Sequence, residues 1–438
     1  MREIYSNSHV TIAADNTPKC TDGFLDIYGE EWKAITSDSI GLVREARKST
    51  ASWTNILSTR GWALQESILP NRILHFTFGG MKWQCNAYCR HENGQTDIDF
   101  MRLTFRALRV IKLGRTTPRL LTPPETIGTA FNDDEEEYTT HITDFLTTHT
   151  PKSVYYAWTS IMEHYSEREL TKESDRLSAI SGLASLIVEY MGLPFSAYLA
   201  GLWYDDLASG LLWYVKGPET PRRGQQYIAP SWSWASINGR IGYFRERYQF
   251  HFESRISVSE AKCMFSHYDP TGRVTSGQIT LTGKMVPVNI NVIQFPQGYK
   301  SEYTGGPGCA SRTHVDQLVL VRPPFSERLY SYEVLCDEEM EMSQNRDHRN
   351  DACWMNGHCE QRSCACEATR TSIGRYYCLE VGVTEDIRTG GRRYWWLLLE
   401  KKTSDNEIYG RLGLGYYQVF QRSFYLFKTA QSRTITIV

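Results

Sequence analysis

The chain runs to 438 residues, of which 41% are hydrophobic, 13% aromatic and 22% charged, which excludes a disordered chain and leaves room for about three domains. Lys plus Arg at 48 against Asp plus Glu at 50 gives a net charge of −2, so no global basic field exists to hold nucleic acid or an anionic membrane. No run reaches the roughly 18 apolar residues of a transmembrane helix, and Met1 to Asn7 lack a basic leader, while the 11 cysteines are odd in number and thinly spread; the expectation is a cytoplasmic protein with reduced thiols.

His9 to Ala14 read as a short buried strand, and the six residues before it as the last turn of a helix. Ser58 and Thr59 offer caps for a short helix through Trp62, Leu64 and Ile68, which Pro70-Asn71 ends. Ile73 to Phe78 and Met81 to Cys85 flank Gly79-Gly80, a pair able to take positive φ, and together predict a hairpin. From about Asp97 to Gly192 the apolar period becomes helical. The acidic run Asp133 to Glu137 predicts the solvated start of a weak helix. Thr150-Pro151 opens the next helix, with Val154, Trp158, Ile161 and Tyr165 on one stripe. Ser174 caps a further one through Leu177, Ile180, Ala184, Ile187 and Met191, stopped by Gly192-Leu193-Pro194.

Beyond Phe195, apolar and aromatic runs separated by turns replace the helical period, among them Gln278 to Thr282, Gln317 to Val321, Tyr376 to Val381 and Tyr394 to Leu399. They predict an antiparallel, barrel-like β lobe. Pro230 to Ser236 alternates large aromatics with small residues, which fits a strand with Trp232 and Trp234 on one face. Asp337 to Arg370 is polar and reads as a long surface loop. The expected architecture is therefore α+β and multi-lobed: an α/β part over residues 1–90, a helical region over 91–194, and an antiparallel β-rich domain over 195–438 with a cysteine-rich loop at about 337–370.

Several phrases, in one order, resemble a known family. Ile4-Tyr5-Ser6-Asn7, Thr11-Ile12-Ala13-Ala14, Arg60-Gly61-Trp62-Ala63-Leu64-Gln65-Glu66, Leu74-His75-Phe76 and Trp83-Gln84-Cys85 are similar to the later part of the fungal heterokaryon-incompatibility (HET) domain. Tyr165 to Thr171, Asp175 to Ala184, Tyr198 to Trp203 and Ala229 to Ser236 resemble the motifs that follow that domain. The resemblance is dense to about residue 240 and only stylistic beyond. It implies an intracellular protein of self/non-self discrimination and regulated cell death, working with protein partners, with an N-terminal part similar to the TIR (Toll/interleukin-receptor) Rossmann-like fold. Some TIR-like proteins cleave NAD, which makes NAD a possible substrate of the intact family domain and leaves no resident cofactor. The family's opening Ser-Tyr-x-Trp-Gly and Trp-Ile-Asp-x-x-Cys-Ile-Asn-Gln phrases have no counterpart here, so the expectation is an N-terminally incomplete HET domain.

The candidate chemistry is sparse. Glu66 is the acid/base candidate of the α/β part, and Arg60 and Gln65 are the ligand-binding candidates beside it; the alternative is an Arg60–Glu66 ion pair that orients the helix while Trp62 and Leu64 fill core. Ser231 lacks the Gly-x-Ser-x-Gly setting of a hydrolase nucleophile. Asp175 and Arg168 read as a latch between two helices. Cys353, Cys359, Cys364 and Cys366, with His348 and His358 nearby, offer four zinc ligands, yet the Cys-x5-Cys-x4-Cys-x-Cys spacing departs from paired Cys-x2-Cys sites and favours no metal. Cys85-x3-Cys89-x-His91 is weaker still, with Cys85 read as a buried thiol.

Overall fold

The computed structural model describes residues 1–17, 56–77, 80–85, 89–92, 151–216, 226–244, 251–266, 269–294, 375–385, 391–403, 406–419 and 430–438, with shorter pieces at 19, 21, 23–24, 35–37, 40–43, 94, 96–97, 222–223, 317–322, 332–336, 346–347, 367–370 and 426–428. The chain divides into two compact units, Met1–Phe195 and Ser196–Val438. The acidic run with its helix, and the four cysteines of the 353–366 cluster with His348 and His358, lie outside the described residues.

In the first unit, helix α1 (Arg2–Ser6) leads into strand β1 (Thr11–Ala14). A small hairpin, β2 (Ile35–Ser37) and β3 (Ile40–Val43), comes before β4 (Arg72–Thr77), β5 (Gly80–Cys85), β6 (Cys89–His91) and β7 (Thr96–Asp97). The five-stranded sheet has the order β1-β4-β5-β6-β7. β1 runs parallel to β4, and the remaining pairs are antiparallel. β1 thus lies at one end of the sheet among the described residues, and its Ile12 is 60% exposed. The hairpin forms, but Gly79-Gly80 is not its two-residue turn: Thr77 pairs with Gly80, which is the first residue of β5 and sits at φ 117.

Helix α2 (Ala63–Ile68) follows a 3-10 turn at Ile56–Thr59 and starts at Trp62 without a side-chain cap. The expected capping by Ser58 or Thr59 fails because the Thr59 hydroxyl donates to the carbonyl of Ile56 at 2.8 Å, closing its own turn. α3 (Pro151–Ser166) buries Val154, Trp158, Ile161 and Tyr165, the stripe its spacing predicts. The next predicted helix is broken. Ser174 lies inside a 3-10 turn at Glu173–Asp175, a second such turn covers Ser178–Ile180, and α4 proper spans Ser181–Met191. Gly192 ends it at φ 64, the left-handed position that glycine takes without steric cost. The apolar spacing survives the break because 3-10 and α turns keep i and i+3 on nearly the same side.

In the second unit, β8 (Tyr198–Leu199) and β9 (Leu202–Trp203) form a tight hairpin, followed by the short helix α5 (Leu207–Gly210). Four short strands come next: β10 (Trp213–Val215), β11 (Arg222–Arg223), β12 (Ile237–Asn238) and β13 (Ile241–Tyr243). The large sheet takes β14 (His251–Ser254), β15 (Ser257–Phe265), β16 (Val274–Gln294), β17 (Gln317–Arg322), β18 (Tyr332–Cys336), β19 (Arg346–Asp347), β20 (Glu367–Arg370), β21 (Tyr376–Glu385), β22 (Arg392–Lys401), β23 (Ile408–Val419) and β24 (Gln431–Ile437).

All its pairs are antiparallel except β23 with β24. The pairings β16–β17, β17–β18, β18–β23, β23–β22, β22–β21 and β21–β16 return to their starting strand. That ring removes edges as a barrel does. Val288, Ile290, Tyr376, Cys378, Trp396 and Leu398, alternate residues of three strands, join Leu426 and Phe427 in one buried cluster.

Two expectations fail in this unit. Residues 337–370 do not form one continuous loop, since β19 and β20 lie within them and β20 pairs with β16. Pro230 to Ser236 is no strand either. It is a turn leading into a 3-10 helix at Trp234–Ser236, capped by the Ser233 hydroxyl, which accepts from the Ala235 amide at 3.1 Å. Small hydroxyl residues bond local backbone readily, and here that preference overrides the period-two pattern. Both tryptophans are nonetheless buried.

Candidate functional site

The segment from Thr59 to Leu69 carries the three candidate residues, and the chain from Glu167 to Asp175 holds it in place. The Gly61 amide donates to the Glu169 carbonyl at 2.7 Å, and the Glu169 amide donates to the Thr59 carbonyl at 2.6 Å. The Trp62 indole donates to the Asp175 carboxylate at 3.2 Å, while the Arg168 guanidinium donates to the Arg60 carbonyl at 3.3 Å. Asp175 and Arg168 do latch two elements together, but each reaches back to the segment around α2. Gly61 permits this approach, since a Cβ there would stand 2.5 Å from the Leu170 side chain.

The three candidates do not converge. Consecutive helical residues point roughly 100° apart, so with Gln65 turned inward Glu66 is directed elsewhere. Gln65 is fully buried against Gly182, and neither polar atom of its amide has a partner among the described residues. Glu66 is half-buried and its carboxylate lies near the Tyr5 phenol of α1. Burial first, and then the Glu66 carboxylate, push the Tyr5 phenol above its ordinary pKa, so it stays protonated beside that carboxylate. The Arg60 side chain is exposed, and the alternative reading, an Arg60–Glu66 ion pair, is not seen among the described residues.

A second polar group lies in the sheet. Asp15, His75 and Gln84 are all at most 6% exposed. His75 Nδ1 is 2.8 Å from Asp15 Oδ2, and its Nε2 is 2.6 Å from Gln84 Oε1. β4 turns His75 to the same face as the buried Ile73, and the β4–β5 register places Gln84 opposite Ile73, one diagonal step from the imidazole. Asp15 follows directly on β1. With the carboxylate accepting at Nδ1, two arrangements satisfy the ring: an imidazolium donating at both nitrogens, or a neutral ring accepting from a turned-over Gln84 amide. In either arrangement both nitrogens are engaged inside the fold, so the cluster ties β1, β4 and β5 together and leaves the ring no free nitrogen for a substrate.

Each member of this cluster lies in or beside a phrase that carries the family resemblance, yet none stands out as a candidate in the sequence. The signal was there: His75 and Gln84 each take a buried position in a short strand whose other buried residues are small or apolar. Of the nearby cysteines, Cys89 is the buried one and Cys85 is half-buried; neither is in a disulfide. Among the described residues no group of three or more His, Cys, Asp or Glu side chains could hold a metal ion, and no helix is long and apolar enough to cross a membrane.

Comparison with protein-family models, with curated proteins and with solved structures returns no match.

Proposed function

We propose that this chain is a heterokaryon-incompatibility-type protein, an intracellular component of fungal self/non-self discrimination that acts through protein partners and not by cleaving NAD. One observation supports the reading most strongly. Motif phrases more than a hundred residues apart in sequence are bonded to each other, as in the reciprocal backbone pair of Gly61 and Glu169 with Thr59. In the second unit two phrases 33 residues apart also meet: the Ser233 hydroxyl donates to the Ala200 carbonyl at 2.6 Å and the Trp234 indole to the Gly201 carbonyl at 3.2 Å. Short phrases matching by coincidence have no reason to meet in space; phrases belonging to one inherited architecture do.

The non-catalytic part of the reading rests on the candidates themselves. NAD cleavage needs a carboxylate set against developing positive charge in a pocket that grips ribose and pyrophosphate. Glu66 faces the Tyr5 phenol, Gln65 is enclosed and Arg60 is exposed to solvent. A TIR-like fold for the first unit belongs to the same proposal, with the parallel β1–β4 pair as its support.

The test is inducible expression of the full chain in fungal hyphae, scored compartment by compartment with a vital dye. Dying compartments are expected for wild type and Glu66→Gln alike, and none for Gly61→Val, which removes the backbone approach. Hyphae as viable as an empty-vector control at matched protein levels would count against the proposal.

A further inference from the structure

Within the second unit a cavity of about 450 Å³ opens beside β15, β16 and β23. That volume is in the range of small-molecule sites. Lys262 and Lys402 line it, together with Ser276, Tyr227 and Met264. The charges around it are unequal. Lys262 pairs with Glu260 at 2.9 Å, a pair in which both side chains are at least half exposed. Lys402 pairs with Glu400 at 2.8 Å, but the same carboxylate also accepts from Arg375 Nε at 2.7 Å. One carboxylate is therefore shared between two cations, and the ammonium of Lys402 is only partly answered.

Behind the wall, the nearly inaccessible guanidinium of Arg411 donates to the carbonyls of Leu211 and Trp213 at 2.7 and 2.6 Å and lies 3.5 Å from the centroid of the Trp213 ring. These bonds fix a positive charge near the cavity. The Arg411 amide also donates to the Ser231 hydroxyl at 3.0 Å, so this serine serves the wall and not a ligand.

The remaining lining suits the rest of a ligand. Burial beside Cys263 pushes the Tyr227 phenol up to about 12, so it remains a neutral hydroxyl while nearly half of the residue is open to solvent. Met264 is 60% exposed, an adaptable apolar surface at the same opening. The hydroxyl of Ser276 adds a neutral donor. The Lys262–Glu260 pair is exposed on both sides and weak, so an incoming anion can recruit that ammonium at little cost, while the half-exposed Lys402 can turn to the anion because Arg375 still answers Glu400.

We infer that this cavity binds a small organic anion, with its charged head at Lys262 and Lys402 and its apolar body against Tyr227 and Met264. The site is independent of the proposed role in incompatibility, and failure of one leaves the other standing. The experiment is calorimetric titration of the full chain with phenyl phosphate, benzoate, inorganic phosphate and benzylammonium. The two aromatic anions are expected to bind at one site, inorganic phosphate about tenfold more weakly for want of an apolar body, and benzylammonium not at all. Lys402→Gln should weaken phenyl phosphate about tenfold and Lys262→Gln by several fold, with the thermal midpoint of each variant checked against wild type. Ser276→Trp should fill the cavity and abolish binding. No saturable binding up to about 10 mM, equal binding of benzylammonium, or unchanged affinity in both folded lysine variants would overturn the inference.

Discussion

At the scale of single residues, the least forgiving position is Gly201. It sits at φ 96 beside Ala200 at φ 47, and a Cβ on it would lie 2.6 Å from the Trp234 indole nitrogen. Gly201→Ala therefore combines backbone strain with a clash in a packed core, and a loss of about 3 kcal/mol is expected in denaturant unfolding. Ala200→Gly acts oppositely, since an L side chain at positive φ is strained; a gain of up to about 1 kcal/mol is expected from the same measurement. His75→Ala would leave the Asp15 carboxylate buried without its imidazole, at a cost of about 3 kcal/mol.

Glu400 gives a pH dependence whose sign follows from its surroundings. Burial alone would raise its pKa, but the hydrogen bonds and charges of Lys402 and Arg375 overcome that and hold it below the ordinary 4.5. A depressed carboxylate contributes stability that is present above its unfolded pKa and is lost as pH falls through the folded value. Glu400→Gln should therefore be less stable than wild type at pH 7, by about 1 kcal/mol after allowing for the exposure of both cations. The gap should narrow as pH falls below the ordinary 4.5 and on through the lower folded value, as read from unfolding midpoints across pH. A gap that shows no narrowing anywhere in the acid range would assign the loss to packing instead.

At the scale of elements, regular periodicity was legible and local hydroxyl chemistry was not. The stripe of α3 and the strands β16, β17, β21 and β22 follow directly from spacing and β-branched or aromatic content. Two of the misread segments share one cause, and a third was also replaced by a tight turn. Thr59 and Ser233 bond backbone groups within three residues, which replaced a predicted cap and a predicted strand by tight turns; Ser174, expected to start a helix, lies inside a 3-10 turn without a side-chain cap bond. Closure of the barrel was beyond the sequence, because it depends on β16 being long enough to pair with β17 and β21 on successive stretches. Closure brings tight packing with it: a Cβ on Gly415 of β23 would stand 2.1 Å from the Trp396 ring across the β22–β23 pair. Gly415→Ala is expected to cost about 3 kcal/mol in chemical denaturation, with a smaller penalty in a Trp396→Phe background that makes room for the methyl group.

At the scale of the whole molecule, the candidate site was legible only as a list of residue types. Arg60, Gln65 and Glu66 adjoin in sequence and point in different directions, whereas Asp15, His75 and Gln84 are spread over seventy positions of sequence and meet in the sheet. Adjacency in a helix separates side chains, and strand register gathers them. The motif phrases fall in both compact units, and under the proposed function their role is to present surfaces to partners and not to cleave NAD.

The most direct test of that account is the NAD content of hyphae expressing the chain, followed through the time course of compartment death, for wild type beside Glu66→Gln. The account predicts death in both with superimposable NAD curves, any fall in NAD coming only after dye uptake. A collapse of NAD that precedes dye uptake in wild type and is absent in Glu66→Gln would contradict it and assign Glu66 a catalytic role.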